Sequence, residues 1–154
     1  MSAEHKIKAA WKRAPHPSKP QTYSRNLSFD FGHNITLGAS ASPDYLGDAS
    51  LPDPEQLFLS SISSCHMLSF LAIAEMRGSM VTSYEDEASA YLEKDQGALA
   101  RIKRVILRPR VEFDPSAKIP DPDALGKMHD KAHDICFIAR SITTEVSVEP
   151  FQSE

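Results

Sequence analysis

The sequence has few cysteines and little net charge. It contains two cysteines in 154 residues, and its formal net charge is −4. Two thiols are too few for the disulfide framework of a small secreted scaffold. A mildly acidic chain also lacks the basic excess typical of proteins that bind nucleic acids or anionic membranes. We therefore expect neither a nucleic acid nor a membrane among its partners.

The first residues lack the features of a secretory signal. Residues 1–11 contain neither a long apolar stretch nor a small-residue cleavage site. We therefore expect a cytoplasmic protein, whose thiols are kept reduced. The length of the chain is typical of one domain with its own core, so we expect a single domain over residues 1–154.

Formal charge is also missing from one long segment, Gln56 to Ala74. Prolines precede this segment, and Glu75, Arg77 and Gly78 follow it, which predicts a helix with a defined beginning and end. Its serines make it too polar for lipid, so we expect a helix buried on all sides. Its small Ser and Ala side chains would let the same helix of a second subunit approach closely, which predicts a homodimer.

Alternating apolar and polar residues predict strands on both sides of this helix. A turn at Gly32-His33 is expected between the second and third of them and a turn at Asp95-Gln96-Gly97 after the fourth. Pro109 predicts an edge or bulged position in the fifth. The predicted strands are Ile7–Trp11, Tyr23–Phe31, Asn34–Ala41, Val81–Glu93, Arg104–Phe113 and Thr144–Glu149. With the helices, they predict an α+β fold.

A second helix is predicted from Asp121 to Ile142 by apolar residues at three- and four-residue steps. It contains Cys136, whereas Cys65 lies in the uncharged helix. Two thiols in two apolar helices of a cytoplasmic protein suggest a redox pair rather than a static disulfide. A zinc site is the alternative, because His129, His133 and Cys136 share one helix face and Cys65 or His66 could complete a set of four ligands.

Two motifs together resemble the OsmC/Ohr family of thiol-dependent peroxidases. The first is the segment Pro54–Leu59 followed by Cys65, ten residues after Glu55, and the second is Ala132-His133-Asp134-Ile135-Cys136. The order of predicted strands and helices matches that family over nearly the whole chain. The resemblance implies an intertwined α+β homodimer in which antiparallel sheets wrap around a long buried helix. It also implies an enzyme that reduces organic hydroperoxides in a stress response.

The resemblance also implies the site residues. Cys65 corresponds to the peroxidatic cysteine, Cys136 to the resolving cysteine with which it forms a disulfide, and Glu55 to the glutamate. Arg25 corresponds best to the arginine that activates the thiol, and Arg13 is a second candidate. No bound cofactor is expected, and an external dithiol of the lipoyl type would reopen the disulfide.

The geometry of a helix restricts the role of Glu55. Ten helical residues separate it from Cys65 by about 15 Å, too far for both side chains to serve one guanidinium within a single rigid helix. Either Glu55 lies on a non-helical segment that folds back, or it acts in the site of a partner subunit. Both alternatives are consistent with an active site at a subunit interface.

Two residues depart from the usual family pattern. Phe137 follows Cys136 where many members have proline, and His66 follows Cys65 where many have an aromatic residue. Apolar side chains near the motifs are expected to line a pocket for an alkyl or fatty-acid hydroperoxide, with His66 affecting its polarity. The apolar residues are Phe58, Met67, Phe70 and Phe137. The alternative function is a thiol or zinc-binding protein of the same fold that senses redox state without turnover.

Overall fold

A computed structural model describes residues 2–94, 97 and 99–150 of the chain. The chain divides into two compact units, Met1–Leu57 and Phe58–Glu154, and the long first helix begins in one and continues in the other. Each unit is described separately below. The prediction of a single domain stays a prediction.

The first unit contains a three-stranded antiparallel sheet. Its strands are β1 (Lys8–Ala10), β2 (Leu27–Asp30) and β3 (Thr36–Ala39), in that spatial order. Half-buried and exposed side chains alternate along β2, which confirms the period of two found in the sequence. All three predicted strands are present in shortened form.

The turn between β2 and β3 has an unusual backbone. Gly32, His33 and Asn34 all have positive φ values, of 81°, 54° and 62°. The left-handed region is open to glycine and tolerated by asparagine, so these residues suit a tight connection. Asp30 Oδ1 accepts a hydrogen bond from the Gly32 N–H at 2.8 Å. The predicted turn at Gly32-His33 is confirmed.

Helix α1 (Pro54–Met76) begins with a reciprocal cap. Asp53 Oδ1 accepts from the Gln56 N–H at 2.7 Å, and Gln56 Oε1 accepts from the Asp53 N–H at 3.0 Å. The helix stops before Gly78, which has a φ of 73° and donates its N–H to the Glu75 carbonyl. The predicted helix is therefore confirmed, with two additional residues at each end.

One side of α1 is buried within the chain and the other is exposed. The expectation of a helix buried on all sides is therefore not met by a single chain. By length and composition α1 is apolar enough to cross a membrane, but the apolar residues on one of its sides pack in the core of the second unit. The buried residues are Ile62, His66, Phe70, Ile73 and Ala74, and the exposed ones include Ser60, Ser64, Leu68 and Ala72.

The second unit contains two small sheets. Their strands are β4 (Val81–Asp86), β5 (Ser89–Lys94), β6 (Ala100–Leu107), β7 (Pro109–Phe113) and β8 (Glu145–Val148). In one sheet β4 pairs antiparallel with β7, and in the other β5 pairs antiparallel with β6, which pairs parallel with β8. Of the turn predicted after β5, Asp95 and Gln96 lie outside the described residues, and Gly97 has a φ of 72°.

For two segments the prediction of a single strand is wrong, because each segment forms two strands that belong to different sheets. The segment Val81–Glu93 breaks after Asp86, and Arg104–Phe113 breaks before Pro109. Proline has no N–H for a ladder, and Asp86 Oδ1 instead accepts from the Arg108 N–H at 2.7 Å. Both segments therefore change sheets at neighbouring positions, since Asp86 pairs with Pro109.

Helix α2 (Pro122–Ile135) is shorter than predicted. Asp121 caps its start by accepting from the Ala124 N–H at 2.8 Å. At its end Cys136 has an extended backbone and donates its N–H to the His133 carbonyl at 3.2 Å. The prediction that Cys136 lies inside the helix is wrong. The apolar residues Ile138 and Ile142 continue the helical spacing in the sequence, but they lie beyond α2 and pack into a different hydrophobic cluster from the residues of α2.

Two hydrophobic clusters form the core of the second unit. The first joins α1 to α2 through Phe70, Ile73 and Ala74 against Met128 and Ala132. The second packs the earlier part of α1, at Ile62, against Val105 and Leu107 of β6. The predicted α+β class is confirmed. The residues around Cys65 lie between the levels of these clusters along α1.

Candidate active site

The second unit brings the two thiols together. Cys65 is partly exposed on α1, whereas Cys136 is 1% exposed at the end of α2, and both are free thiols. Burial raises the pKa of the Cys136 thiol, and a hydrogen bond with the Cys65 thiol raises it further. Cys136 is therefore held protonated beside a more accessible sulfur. A reactive thiol and a resolving thiol would have this arrangement.

The backbone after α2 also contacts Cys136. The Ala139 N–H donates to Cys136 Sγ at 3.4 Å, and this contact opposes the effect of burial on the Cys136 pKa. Ala139 begins a short 3₁₀ helix, Ala139–Ser141. A backbone hydrogen bond from Ile138 acts in the same direction, so the Cys136 sulfur retains donors that can stabilise negative charge when the thiol ionises.

Two histidines from the helices that carry the thiol motifs lie in the core. His66 on α1 and His129 on α2 are 1% and 2% exposed, and His66 Nε2 is 3.1 Å from His129 Nδ1. The pKa of each ring is lowered to about 4, mainly by burial, with a further contribution from the neighbouring His133 in the case of His66 and from His66 in the case of His129. Both rings are therefore neutral at pH 7.

An acidic residue at the bend between β4 and β5 binds α1. The Ser63 hydroxyl donates to Asp86 Oδ2 at 2.5 Å, and Asp86 Oδ1 accepts from the Arg108 N–H. Tyr84 on the same strand is half-buried, and desolvation raises the pKa of its phenol. Sequence patterns missed Asp86, because a carboxylate in a predicted strand is ordinarily a solvent-facing residue. No sequence signal marked it, because the break after Asp86 lies inside a segment predicted as one strand.

The predicted arginine and glutamate lie in the first unit. The Arg25 guanidinium stacks over the Tyr23 ring at 3.7 Å and donates to Thr22 Oγ1 at 3.2 Å and to the Tyr23 carbonyl. Arg25, Trp11 and Leu27 line a mainly apolar cavity of about 610 Å³. Arg13, the second candidate, is exposed.

Glu55 lies in the first turn of α1 and is half-buried. Since the helix is continuous from Pro54 to Met76, the alternative in which Glu55 occupies a non-helical segment is wrong. The alternative in which Glu55 serves the site of a second subunit stays a prediction. The roles of Arg25 and Glu55 at Cys65 stay predictions as well, because the thiols belong to the other unit.

The predicted substrate-lining residues occupy different environments. Phe70 and His66 are fully buried in the core, where the Phe70 ring stacks on His129 at a centroid distance of 4.3 Å. Phe58 and Met67 are half-buried, and Phe137 is 77% exposed. Contact of these side chains with a substrate stays a prediction.

The zinc alternative needs at least three ligands close together. Within residues 2–94, 97 and 99–150, no group of three or more His, Cys, Asp or Glu side chains is arranged to hold a metal ion. His66 and His129 form a contact of two nitrogens only.

Comparison with known proteins places the chain in a family. A family model described as OsmC-like protein matches residues 47–150. The structure of an OsmC-like protein of unknown function from Vibrio cholerae is 37% identical, covers 97% of this chain and 100% of its own, and has a TM-score of 0.89. No curated protein matches the chain.

Two more distant structures have the same fold. An organic hydroperoxide resistance protein OsmC from Legionella pneumophila is 16% identical, with a TM-score of 0.68 over 96% of this chain and 95% of that one. The organic hydroperoxide resistance protein OhrB of Bacillus subtilis is 18% identical, with a TM-score of 0.65 over 97% and 98%. The matched family model and the Vibrio relative together establish that this chain belongs to the OsmC-like protein family.

Proposed function

We propose that the protein is a thiol-dependent peroxidase that reduces organic hydroperoxides to alcohols. The observation that carries the proposal is the contact of a partly exposed thiol, Cys65, with a buried thiol, Cys136. A structural cysteine needs no such neighbour. The names of the Legionella and Bacillus proteins, which refer to organic hydroperoxide resistance, support the same chemistry.

In the first step the Cys65 thiolate attacks the distal oxygen of the hydroperoxide. A sulfur–oxygen bond forms, the peroxide bond breaks, and the alkoxide leaves as the alcohol after taking a proton. Sulfur is oxidised to a sulfenic acid and the peroxide is reduced. The protonated Cys136 thiol beside Cys65 can donate a hydrogen bond to the attacking thiolate.

In the second step Cys136 attacks the sulfenic sulfur of Cys65. The sulfur–sulfur bond forms, and the hydroxyl leaves as water with the proton of the Cys136 thiol. The Ala139 N–H stabilises negative charge on Cys136 during this step. An external dithiol of the lipoyl type then reduces the disulfide by two exchange reactions, so no bound cofactor is required.

A free thiol is only a few per cent ionised at neutral pH, so an efficient nucleophile needs a nearby positive charge. We assign this role to Arg25, and the role of orienting its guanidinium to Glu55. Because Glu55 is helical, we assign it to the site of a second subunit of a homodimer. The exposed side of α1, with its small residues Ser60, Ser64 and Ala72 around Leu68, is the surface that a second copy would cover.

Turnover by the purified protein tests the proposal. Cumene hydroperoxide and hydrogen peroxide are supplied in parallel with dihydrolipoamide, and consumption is compared for wild type, Cys65→Ser and Cys136→Ser. Ser116→Ala, a change in an exposed turn, is the control variant. We expect faster consumption of cumene hydroperoxide, loss of turnover in Cys65→Ser, and accumulation of oxidised enzyme in Cys136→Ser.

Equal rates on both peroxides would contradict the preference for organic hydroperoxides. Unchanged turnover in Cys65→Ser would contradict the assignment of the nucleophile. Oxidation of wild type to a disulfide without turnover would instead favour the redox-sensing alternative in the cytoplasm. Size-exclusion chromatography with light scattering tests the homodimer, and a monomer would remove the role of a second subunit.

A further inference from the structure

A directional contact joins α1 to α2 beside the thiols. The distance of 3.1 Å between His66 Nε2 and His129 Nδ1 is that of a hydrogen bond, and the two ring planes are 5° apart. Both rings are neutral, so one nitrogen donates and the other accepts. Their other ring nitrogens, His66 Nδ1 and His129 Nε2, are buried without a partner. The pair therefore depends on this one bond.

His129 also contacts α1 one turn further along. Its ring stacks on Phe70 with 4.3 Å between centroids and 24° between planes. The apolar contacts of Met128 and Ala132 on either side of it are non-directional and allow small shifts of one helix along the other. The hydrogen bond is satisfied in one register only. It therefore determines where α2 lies along α1.

The same register positions both sulfurs. His66 directly follows Cys65 on α1, and Cys136 comes seven residues after His129, directly after the last residue of α2. We propose that the His66–His129 hydrogen bond is a positioning contact that holds Cys136 within reach of Cys65 for disulfide formation. This inference rests on the proposed peroxidase chemistry. The histidines act through the thiols and have no contact with the peroxide in this role.

Loss of the contact has a chemical signature. The Cys65 sulfenic acid can react with Cys136, releasing water and giving the disulfide, or with a second hydroperoxide, giving sulfinic acid and a second alcohol. The two routes compete for one intermediate. A displaced Cys136 slows the first route and leaves the second unchanged, so the sulfinic fraction rises. Lower stability of the fold alone would leave this ratio as it is in the folded protein.

The variants His129→Leu and His129→Asn form a matched pair. Leucine removes the ring nitrogens, whereas the asparagine side-chain amide takes the place of Nδ1 and can either accept from or donate to His66 Nε2. Reduced protein is treated with cumene hydroperoxide without dithiol, and disulfide and sulfinic acid are measured by peptide mass spectrometry. We expect the sulfinic fraction to rise about tenfold in His129→Leu, because small displacements of reacting groups are costly. In His129→Asn it should stay close to that of wild type.

A folded His129→Leu variant with the wild-type ratio of products would overturn the inference. If leucine alone prevents folding, the double variant His66→Leu/His129→Leu replaces both polar partners and leaves no unpaired nitrogen of the pair. It should also give the higher sulfinic fraction, and a wild-type ratio would again overturn the inference.

A measurement on the wild type needs no variant. A scalar coupling between His66 Nε2 and His129 Nδ1 in the nitrogen spectrum of labelled protein is expected, and its absence would overturn the inference. If the coupling is present but wild-type protein forms neither disulfide nor sulfenic acid, the proposed peroxidase function fails instead. The two failures are therefore distinguishable.

Discussion

The buried histidine pair makes stability depend on pH in a defined window. In the folded protein the pKa values of His66 and His129 are each lowered to about 4 by burial, from an ordinary value of 6.5. Below pH 6.5 the unfolded chain binds protons on both rings, whereas the folded chain does not until about pH 4. The unfolded state binds more protons in this window, so stability is complete above pH 6.5 and is lost as the pH falls towards 4.

The magnitude follows from linkage. One ring that is charged only in the unfolded chain changes the free energy of unfolding by about 1.4 kcal/mol per pH unit, so two rings give about 2.7 kcal/mol per unit between pH 6 and 5. Since single domains are stable by about 5–15 kcal/mol, this dependence is a large fraction of the total. Urea unfolding followed by circular dichroism, from pH 7.5 to 4.5, measures it directly.

The double variant His66→Leu/His129→Leu is the control. It should lose most of the slope between pH 6 and 5. Asp48 and Asp114, whose pKa values are lowered by hydrogen bonds from Ser50 and Ser116, affect stability only as the pH falls below about 3.8, outside this window. Equal slopes for wild type and the double variant would show that the two histidines do not cause the pH dependence of stability.

Four further substitutions test the fold by chemical denaturation. Leu107→Ala should reduce the free energy of unfolding by about 2–5 kcal/mol, because Leu107 is fully buried in the second cluster; a loss below 1 kcal/mol would contradict its place there. Asp121→Ala should cost about 1 kcal/mol through loss of the α2 cap, and an unchanged midpoint would contradict the cap. Gly126→Ala should stabilise α2 by about 1 kcal/mol, since no atom lies within 4 Å of the added Cβ. Gly47→Ala should instead prevent folding, because its Cβ would lie 1.5 Å from the Ala41 carbonyl oxygen. Similar effects of the two substitutions would contradict both predictions.

Local patterns in the sequence predicted local structure well. The uncharged segment gave α1 because Asp53 and Gly78 supply its start and stop, and alternation along Leu27–Asp30 gave a strand. The two strand breaks were missed because periodicity continues through Pro109, and only the pairing of β7 with β4 separates it from β6. The end of α2 was missed for a similar reason, since apolar residues after Cys136 keep helical spacing while packing into another cluster.

The candidate site was predictable only where a motif marks it. The two cysteine motifs identified Cys65 and Cys136, and the structure brings these thiols together. No sequence pattern links His66 to His129, because the contact joins residues 63 positions apart and depends on how two helices pack. In the sequence, each histidine by itself is indistinguishable from an ordinary polar residue of a helix. Their pairing becomes visible only in three dimensions.

The most direct test of the central claim is a single turnover of the reduced protein. One equivalent of cumene hydroperoxide is added without dithiol, and the products are identified by intact-mass and peptide mass spectrometry under non-reducing conditions. If the protein is a thiol-dependent peroxidase, wild type should give one equivalent of alcohol and a disulfide that joins the peptides of Cys65 and Cys136. In Cys136→Ser, the sulfenic acid should persist on Cys65. Wild-type protein whose two thiols remain reduced, with the hydroperoxide intact, would contradict this claim.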